Sequence, residues 1–127
     1  MRPYPEQAQN LLTRVDPARH RRGLPVGLRD GALLALLAAG LSPNEISRLR
    51  ASAVKMARGR KLLVAVRRHG VIWYALLPAD LGGRLLVWLI ERRLWSERAP
   101  VFTGPRGPLS PKSVHAILDR YRKARAC

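Results

Sequence analysis

Three features of the sequence predict a mostly helical α/β domain of 127 residues with one β-hairpin. Apolar residues recur at helical spacing in several separate segments. Two apolar runs of strand length, KLLVAVRR and VIWYALLP, are separated only by His69 and Gly70, which is typical of a hairpin. No internal repeat or low-complexity tract divides the chain, so residues 1–127 are expected to form a single domain with its own core.

The N-terminal segment predicts a short amphipathic helix followed by a basic connection. Over residues 5–15, four apolar side chains fall on one face at helical spacing. They are Ala8, Leu11, Leu12 and Val15. Residues 16–27 then place Arg19, His20, Arg21 and Arg22 between prolines and glycines. This composition is consistent with a solvated loop and equally with a phosphate contact.

Two helices that meet at a tight corner are predicted over residues 28–50. The first helix consists mainly of leucine and alanine and has no polar face, so it is expected to lie in the core. It ends at Gly40, which tolerates the left-handed conformation that ends helices. A capping box with proline at the first helical position then occupies residues 42–45. A second helix is therefore expected to begin there and to run to Leu49.

Residues 51–77 are expected to form a turn and the hairpin. The segment 51–59 carries Lys55 and Arg58 and ends in a turn. The hairpin tip that follows is basic, since it carries Arg67, Arg68 and His69. Basic tips of this kind reach into nucleic-acid grooves.

A further amphipathic helix is predicted from residue 81 to about residue 98, with Pro78 ending the strand and Asp80 as the cap. Trp88 and Trp95 are seven residues apart on its apolar side. We expect them to pack in a core or an interface rather than to stack on bases.

The C-terminal segment predicts a loop and a last helix. Residues 99–109 form the loop, with a short apolar strand-like patch at Val101 and Phe102. Ser110 is expected to cap the last helix. Its buried face is expected to comprise Val114, Ile117, Leu118 and Tyr121. Its other face is basic, which suits either a nucleic-acid groove or solvent; the cations there are Lys112, His115, Arg120, Arg122, Lys123 and Arg125.

The charge of the chain favours a polyanionic partner. Lys and Arg number 24 against 8 Asp and Glu, which gives a formal net charge of +16. All but four of the cations are arginine, whose planar fork pairs bidentately with phosphate. Nucleic acid is therefore the expected partner. A ribosomal or membrane-surface role is the alternative explanation of the charge, and a GC-rich genome is the alternative explanation of the arginine content.

Other residue types narrow the class of protein. The one cysteine is Cys127, so neither a disulfide framework nor a cysteine metal site is expected. The three histidines, His20, His69 and His115, are scattered and have no ligand-like spacing, so no metal or cofactor is predicted. No apolar run approaches the ~20 residues of a membrane span, and no signal peptide is evident. We expect a cytoplasmic, nucleoid-associated protein without a membrane partner.

The corner has two interpretations. Taken alone, it resembles a helix-turn-helix with Gly40 at the turn. Asn44, Ser47, Arg48 and Arg50 would then face the major groove, where asparagine pairs with adenine and arginine with guanine. This would make the chain a transcriptional regulator.

Taken with its neighbours, the corner leads to a different interpretation. LRDGALLALLAAGLSPNEISRLRASAV is similar to the first conserved block of the tyrosine recombinases, the phage-integrase family. A hairpin that ends in Leu76, Leu77 and Pro78 follows, as in that family. LSPKSVHAILDRYRKARA then resembles the leucine-serine helix of the family with its arginine-tyrosine ending. The resemblance spans about residues 5–126 and implies the N-terminal part of a recombinase catalytic-domain fold.

The same resemblance implies that the chain does not cleave DNA. Family catalysis requires an arginine clamp, a hairpin lysine, a histidine-x-x-arginine motif and a tyrosine nucleophile, which together provide charge stabilisation, acid catalysis and covalent chemistry. Ser42 occupies the place of the first arginine, and the lysine position falls near Trp73. The sequence ends where the histidine motif would begin, and Tyr4, Tyr74 and Tyr121 match no nucleophile motif. The family's N-terminal clamp domain has no counterpart either.

We therefore expect a catalytically inactive, recombinase-like protein that binds double-stranded DNA as a regulator or accessory factor of a mobile element or plasmid. A remnant or split recombinase that acts with a full-length partner is the alternative. Phosphate contacts alone do not distinguish DNA from RNA. A homodimer, or pairing with a full-length recombinase through the tryptophan-bearing helix, is expected. The predicted DNA contacts are Asn44, Arg48, Arg50, Lys55, Arg58, Arg67, Arg68, Lys112, Arg120 and Lys123.

Overall fold

A computed structural model describes residues 4–93, 98–104 and 107–123. Within these residues, five α-helices lie in chain order with three longer strands and two very short ones. The helices are α1 (Tyr4–Leu11), α2 (Val26–Ala38), α3 (Pro43–Ser47), α4 (Ala79–Glu91) and α5 (Pro111–Lys123). The strands are β1 (Val54–Met56), β2 (Leu62–Arg68), β3 (Val71–Leu77), β4 (Thr103–Gly104) and β5 (Gly107–Pro108). The mixed α and β class predicted from the sequence is confirmed.

Helix α2 is the centre of the core. Every residue from 29 to 37 is buried, as its lack of a polar face predicts. Helices α1, α4 and α5 pack around it. The four apolar residues predicted to form the inner face of α1 are all buried, although the helix ends at Leu11 and continues as a 3₁₀ turn over Leu12–Arg14.

A buried polar cluster joins α2 to α5. Asp30, which is fully buried, accepts a hydrogen bond of 2.9 Å from Nε of Arg29 and one of 2.6 Å from the hydroxyl of Tyr121. Burial, together with the bond to Asp30, raises the pKa of Tyr121 well above its ordinary range. The hydroxyl therefore remains a donor, and the carboxylate of Asp30 has a partner for each oxygen.

The corner after α2 has the predicted capping chemistry. Gly40 has a φ of 104°, in the left-handed region that ends helices. The Ser42 hydroxyl accepts from the backbone N–H of Glu45, and the Glu45 carboxylate accepts from the backbone N–H of Ser42. The prediction that α3 runs to Leu49 was wrong, because the helix ends at Ser47. The backbone beyond it instead pairs with another segment, since the N–H of Val101 donates to the carbonyl of Leu49.

The hairpin was predicted with the correct strands and turn. Strands β2 and β3 pair from Leu62 with Leu77 to Arg68 with Val71. His69 and Gly70 both have positive φ, at 52° and 77°, as a two-residue turn of the primed type requires. A third strand, β1, was not predicted; it pairs with residues 62–64 and makes a three-stranded antiparallel sheet in the order β1-β2-β3. At three residues, β1 is too short to show a period-2 pattern.

In the last two helices, α4 and α5, the predicted buried faces are confirmed, but not all of the predicted first and last residues are. Helix α4 begins after Pro78, so Asp80 lies in its first turn and is not its cap. It ends at Glu91 rather than near residue 98, and Trp95 lies outside the described residues. In α5, Ser110 accepts from the backbone N–H of Ser113, as predicted. The four residues predicted to be buried in α5 are buried.

Trp88 belongs to the core. Its side chain is fully buried, and its indole N–H donates to the carbonyl of Val101 at 2.7 Å. The ring also stacks on Phe102 with centroids 6.1 Å apart. The expectation that Trp88 packs in a core or an interface is confirmed, because the side chain lies in the core. Among the described residues, no helix is long and apolar enough to cross a membrane.

Candidate nucleic-acid interface

A cleft of about 660 Å³ lies between α3, the 3₁₀ turn at Ala51–Ala53 and strand β2. Four of the ten predicted DNA contacts line this cleft, which we call the α3–β2 cleft. They are Asn44, Arg48, Arg50 and Arg67. The sequence places them as far as 23 positions apart, and the fold brings them to one surface.

Each of these side chains is positioned by a local feature of the chain. The capping box fixes the start of α3, so Asn44 and Arg48, four residues apart, share one exposed face. Arg50 makes a backbone bridge to Pro100, and its guanidinium donates to the carbonyl of Arg98. Arg67 reaches the cleft because β1 pairs with β2 only as far as Val64, which leaves the distal half of β2 open on that side.

The charge of the cleft is positive. Among the described residues, Arg48 and Arg67 form no ion pair and both are exposed. Of the described residues that line the cleft, only Glu45 is acidic, and its charge is balanced by Arg68. The cleft therefore presents guanidinium groups that suit phosphate oxygens.

The side chain of Arg68 has a structural role. Its Nε donates to Oε2 of Glu45 at 2.6 Å, and its Nη2 donates to Oε1 of Glu45 and to the carbonyl of Gly40, each at 3.0 Å. Burial alone would raise the pKa of Glu45, but hydrogen bonds from Arg68 and from the backbone of Ser42 outweigh it and hold that pKa below its ordinary value. The predicted free basic tip is therefore reduced to Arg67 and His69. The pair ties the hairpin to α3.

The outer face of the sheet adjoins Arg67. The register places Lys55 and Arg67 on this face with Ile72, Tyr74 and Leu76. These three apolar side chains are exposed, and Tyr74 is 62% accessible. Beyond Val64 the hairpin is a two-stranded ribbon, which has dimensions that a DNA major groove admits.

The remaining predicted contacts do not line the α3–β2 cleft. Lys55 lies on the outer face of the sheet, and Arg58 lies in an exposed 3₁₀ turn between β1 and β2. Lys112 and Lys123 are exposed on α5. Arg120 lines a different cleft together with four further arginines. Two of these, Arg21 and Arg22, lie in the basic connection for which the sequence left open a solvated loop or a phosphate contact, and the other two were not predicted to bind anything. One signal in the sequence could have located that cleft, namely the charged Arg29-Asp30 pair inside an otherwise apolar helix.

The part of the chain that the structure describes contains no group of three or more His, Cys, Asp or Glu side chains placed to hold a metal ion. No protein-family model matches the chain, and no curated protein matches it either. The resemblance to the tyrosine recombinases therefore rests on the sequence motifs alone.

Proposed function

We propose that the chain is a non-catalytic protein that binds double-stranded DNA through the α3–β2 cleft and the adjacent distal half of the β2–β3 hairpin. One observation carries the proposal: Asn44, Arg48, Arg50 and Arg67, chosen as DNA contacts from the sequence, line one cleft. The carboxylate of Glu45, which also lines the cleft, is paired with Arg68. Arginines that converge on such a surface neutralise backbone phosphates, and they fix the position of a protein on the duplex.

The hairpin supplies the part of this surface that would enter a groove. Its distal ribbon carries Arg67 on the same face as the exposed side chains of Ile72 and Tyr74. An arginine in the major groove donates to guanine, and an apolar side chain contacts the methyl group of thymine. The ribbon would therefore read bases while Arg48 and Arg50 hold the phosphates beside it.

The helix-turn-helix interpretation is less favoured. Helix α3 has five residues, which make fewer than two turns. A helix of this length presents one exposed edge, formed by Asn44 and Arg48, and does not provide an extended recognition helix. We propose that α3 contributes to the cleft and that the ribbon is the groove-facing element.

The role of Ser42 supports the absence of strand cleavage. The resemblance to the tyrosine recombinases gives its position to the first catalytic arginine. Here the side chain of Ser42 caps α3 and accepts a hydrogen bond from Glu45. An uncharged hydroxyl used in this way cannot stabilise a developing phosphate charge as a guanidinium does. We propose that the protein occupies DNA as a regulator or accessory factor of a mobile element.

Charge reversal tests the proposed surface. In a mobility-shift titration with duplex DNA, Arg48→Glu and Arg67→Glu should each weaken binding by about ten-fold or more. Arg21→Glu is the matched control, because Arg21 is also an exposed arginine but lies in the other cleft. Equal losses in all three variants would show that binding follows net charge and would reject this surface. Stronger binding to duplex RNA than to DNA would reject the assignment to DNA.

A further inference from the structure

A second cleft, separate from the proposed DNA surface, contains five arginines. It has a volume of about 630 Å³ and is formed by the loop before α2, the first turn of α2, the end of α4 and one face of α5. We call it the arginine cleft. Its arginines are Arg21, Arg22, Arg29, Arg92 and Arg120. No acidic residue is among those described as lining it.

The arginines come from four parts of the fold. Arg21 and Leu24 exchange two backbone hydrogen bonds, of 2.9 and 3.0 Å, across a turn in which Arg22 and Gly23 both have positive φ. Arg92 lies at the end of α4, with its guanidinium carbon 5.6 Å from the ring centroid of Trp88. Arg120 is exposed on α5. Like charges that converge on one cavity repel one another, and a bound anion removes that repulsion.

Arg29 distinguishes this cleft from a merely basic surface. Its side chain is 9% exposed, and its Nε is bound to Asp30. Among the described residues, the two terminal nitrogens of Arg29 have no hydrogen-bond partner. Every fully buried side-chain nitrogen or oxygen in this part of the chain does have a partner, so the two nitrogens are not fully buried. Because Arg29 lines the arginine cleft, these nitrogens are exposed to the cleft. A buried guanidinium whose Nε is fixed by a carboxylate is pre-organised, because its terminal nitrogens are already oriented to donate to an anion in the cleft.

The rest of the wall is apolar with a few hydroxyl groups. Its aliphatic side chains are Leu24, Val26, Leu109 and Ile117, and its hydroxyl groups belong to Thr103 and Ser113. A bare inorganic anion would leave the aliphatic part of this cavity unused. A cavity of this size takes a small organic ligand, with a few polar groups to fix its orientation.

We propose that the arginine cleft binds a nucleoside di- or triphosphate. The phosphates contact the guanidinium groups of Arg29, Arg120 and the Arg21–Arg22 turn, and the base packs on Val26 and Ile117. This site does not depend on the proposed DNA-binding function, because it uses a different surface and a different ligand.

Calorimetric titration of the full chain in about 0.15 M salt, close to physiological ionic strength, tests the site. ATP should bind saturably, and both adenosine and tripolyphosphate should bind about ten-fold more weakly, because each lacks one half of the contacts. The double variant Arg21→Glu/Arg120→Glu should weaken ATP binding by about ten-fold or more. The matched control is Arg48→Glu/Arg67→Glu, which carries the same charge change in the α3–β2 cleft and should bind ATP as the wild type does.

Several results would overturn this site. These are the absence of saturable ATP binding, tripolyphosphate binding as tight as that of ATP, and equal losses in the two double variants. A measurement on the unmodified chain removes any dependence on variant folding. ATP should shift the backbone amide resonances of Thr103 and Ser113 and leave those of Arg48 and Arg67 in place; the opposite pattern would reject the site. Loss of DNA binding with retention of ATP binding would affect only the proposed function.

Discussion

The side chain of Arg68 donates two hydrogen bonds to the carboxylate of Glu45, at 2.6 and 3.0 Å, across 23 residues of sequence. Glu45 is at the same time the acidic member of the capping box that begins α3. One carboxylate therefore fixes both the start of α3 and the position of the hairpin beside it. The α3–β2 cleft depends on this pair for its shape.

Removal of the Glu45 charge should destabilise the fold in a pH-dependent manner. At pH 7, Glu45→Gln should lower the free energy of unfolding by about 1–3 kcal/mol, because it weakens charge-assisted hydrogen bonds to Arg68 and to the cap. The pKa of Glu45 is lower in the folded chain than its ordinary value of 4.5. The stabilisation is therefore complete above about pH 4.5 and declines as the pH falls through the folded pKa.

Urea unfolding of the wild type and Glu45→Gln, followed from pH 7 to pH 3, measures this effect. The difference between the two proteins should shrink as the pH falls. Glu91→Gln is the control, since Glu91 is exposed at the end of α4 and forms no ion pair within the described residues. A difference for Glu45→Gln that stays constant down to pH 3 would contradict the account of this pair.

The buried hydroxyl of Tyr121 should also matter for stability. Tyr121→Phe leaves one oxygen of the buried Asp30 carboxylate without its donor, which should cost about 1.5–3 kcal/mol. Tyr74→Phe removes the same atom from an exposed side chain and should change the free energy of unfolding by less than about 0.5 kcal/mol. Thermal or urea unfolding of both variants measures the two free energies of unfolding. Similar values would mean that the hydrogen bond from Tyr121 to Asp30 does not stabilise the fold.

Two helical glycines should respond in opposite directions to alanine. A Cβ on Gly27 would overlap the backbone carbonyl of Asp16, so Gly27→Ala should cost about 1–3 kcal/mol by displacing the loop that leads to the arginine cleft. A Cβ on Gly83 in α4 meets nothing within 4 Å, so Gly83→Ala should stabilise the protein by about 0.5–1 kcal/mol. Unfolding midpoints that move in the same direction for both variants would be inconsistent with this packing.

The sequence was most informative where local chemistry determines structure. The corner at Gly40 and Ser42 and the hairpin turn at His69 and Gly70 each follow from one or two residues that fit a particular backbone geometry, and both were predicted. The helix ends were less predictable, because α3 ends where the backbone of Leu49 pairs with a segment 52 residues away.

The candidate sites depend more strongly on distant contacts. Nothing in the local sequence distinguishes Arg68, which binds Glu45, from its neighbour Arg67, which is exposed. Arg67 and Arg68 lie on opposite faces of β2, because successive side chains of a strand alternate between the two faces of the sheet. Their roles can be predicted only when it is known which face of the sheet meets α3. The arginine cleft was missed because its five arginines come from four separate parts of the fold.

The dependence of DNA affinity on salt tests the central proposal most directly. A plot of log affinity against log salt concentration has a slope near −0.9 for each phosphate that is neutralised. Arg48→Gln and Arg50→Gln should each make the slope shallower by about 0.9, and Arg21→Gln should leave it unchanged. Slopes for Arg48→Gln and Arg50→Gln equal to that of the wild type would mean that these arginines do not contact DNA phosphates, and would contradict the proposed interface.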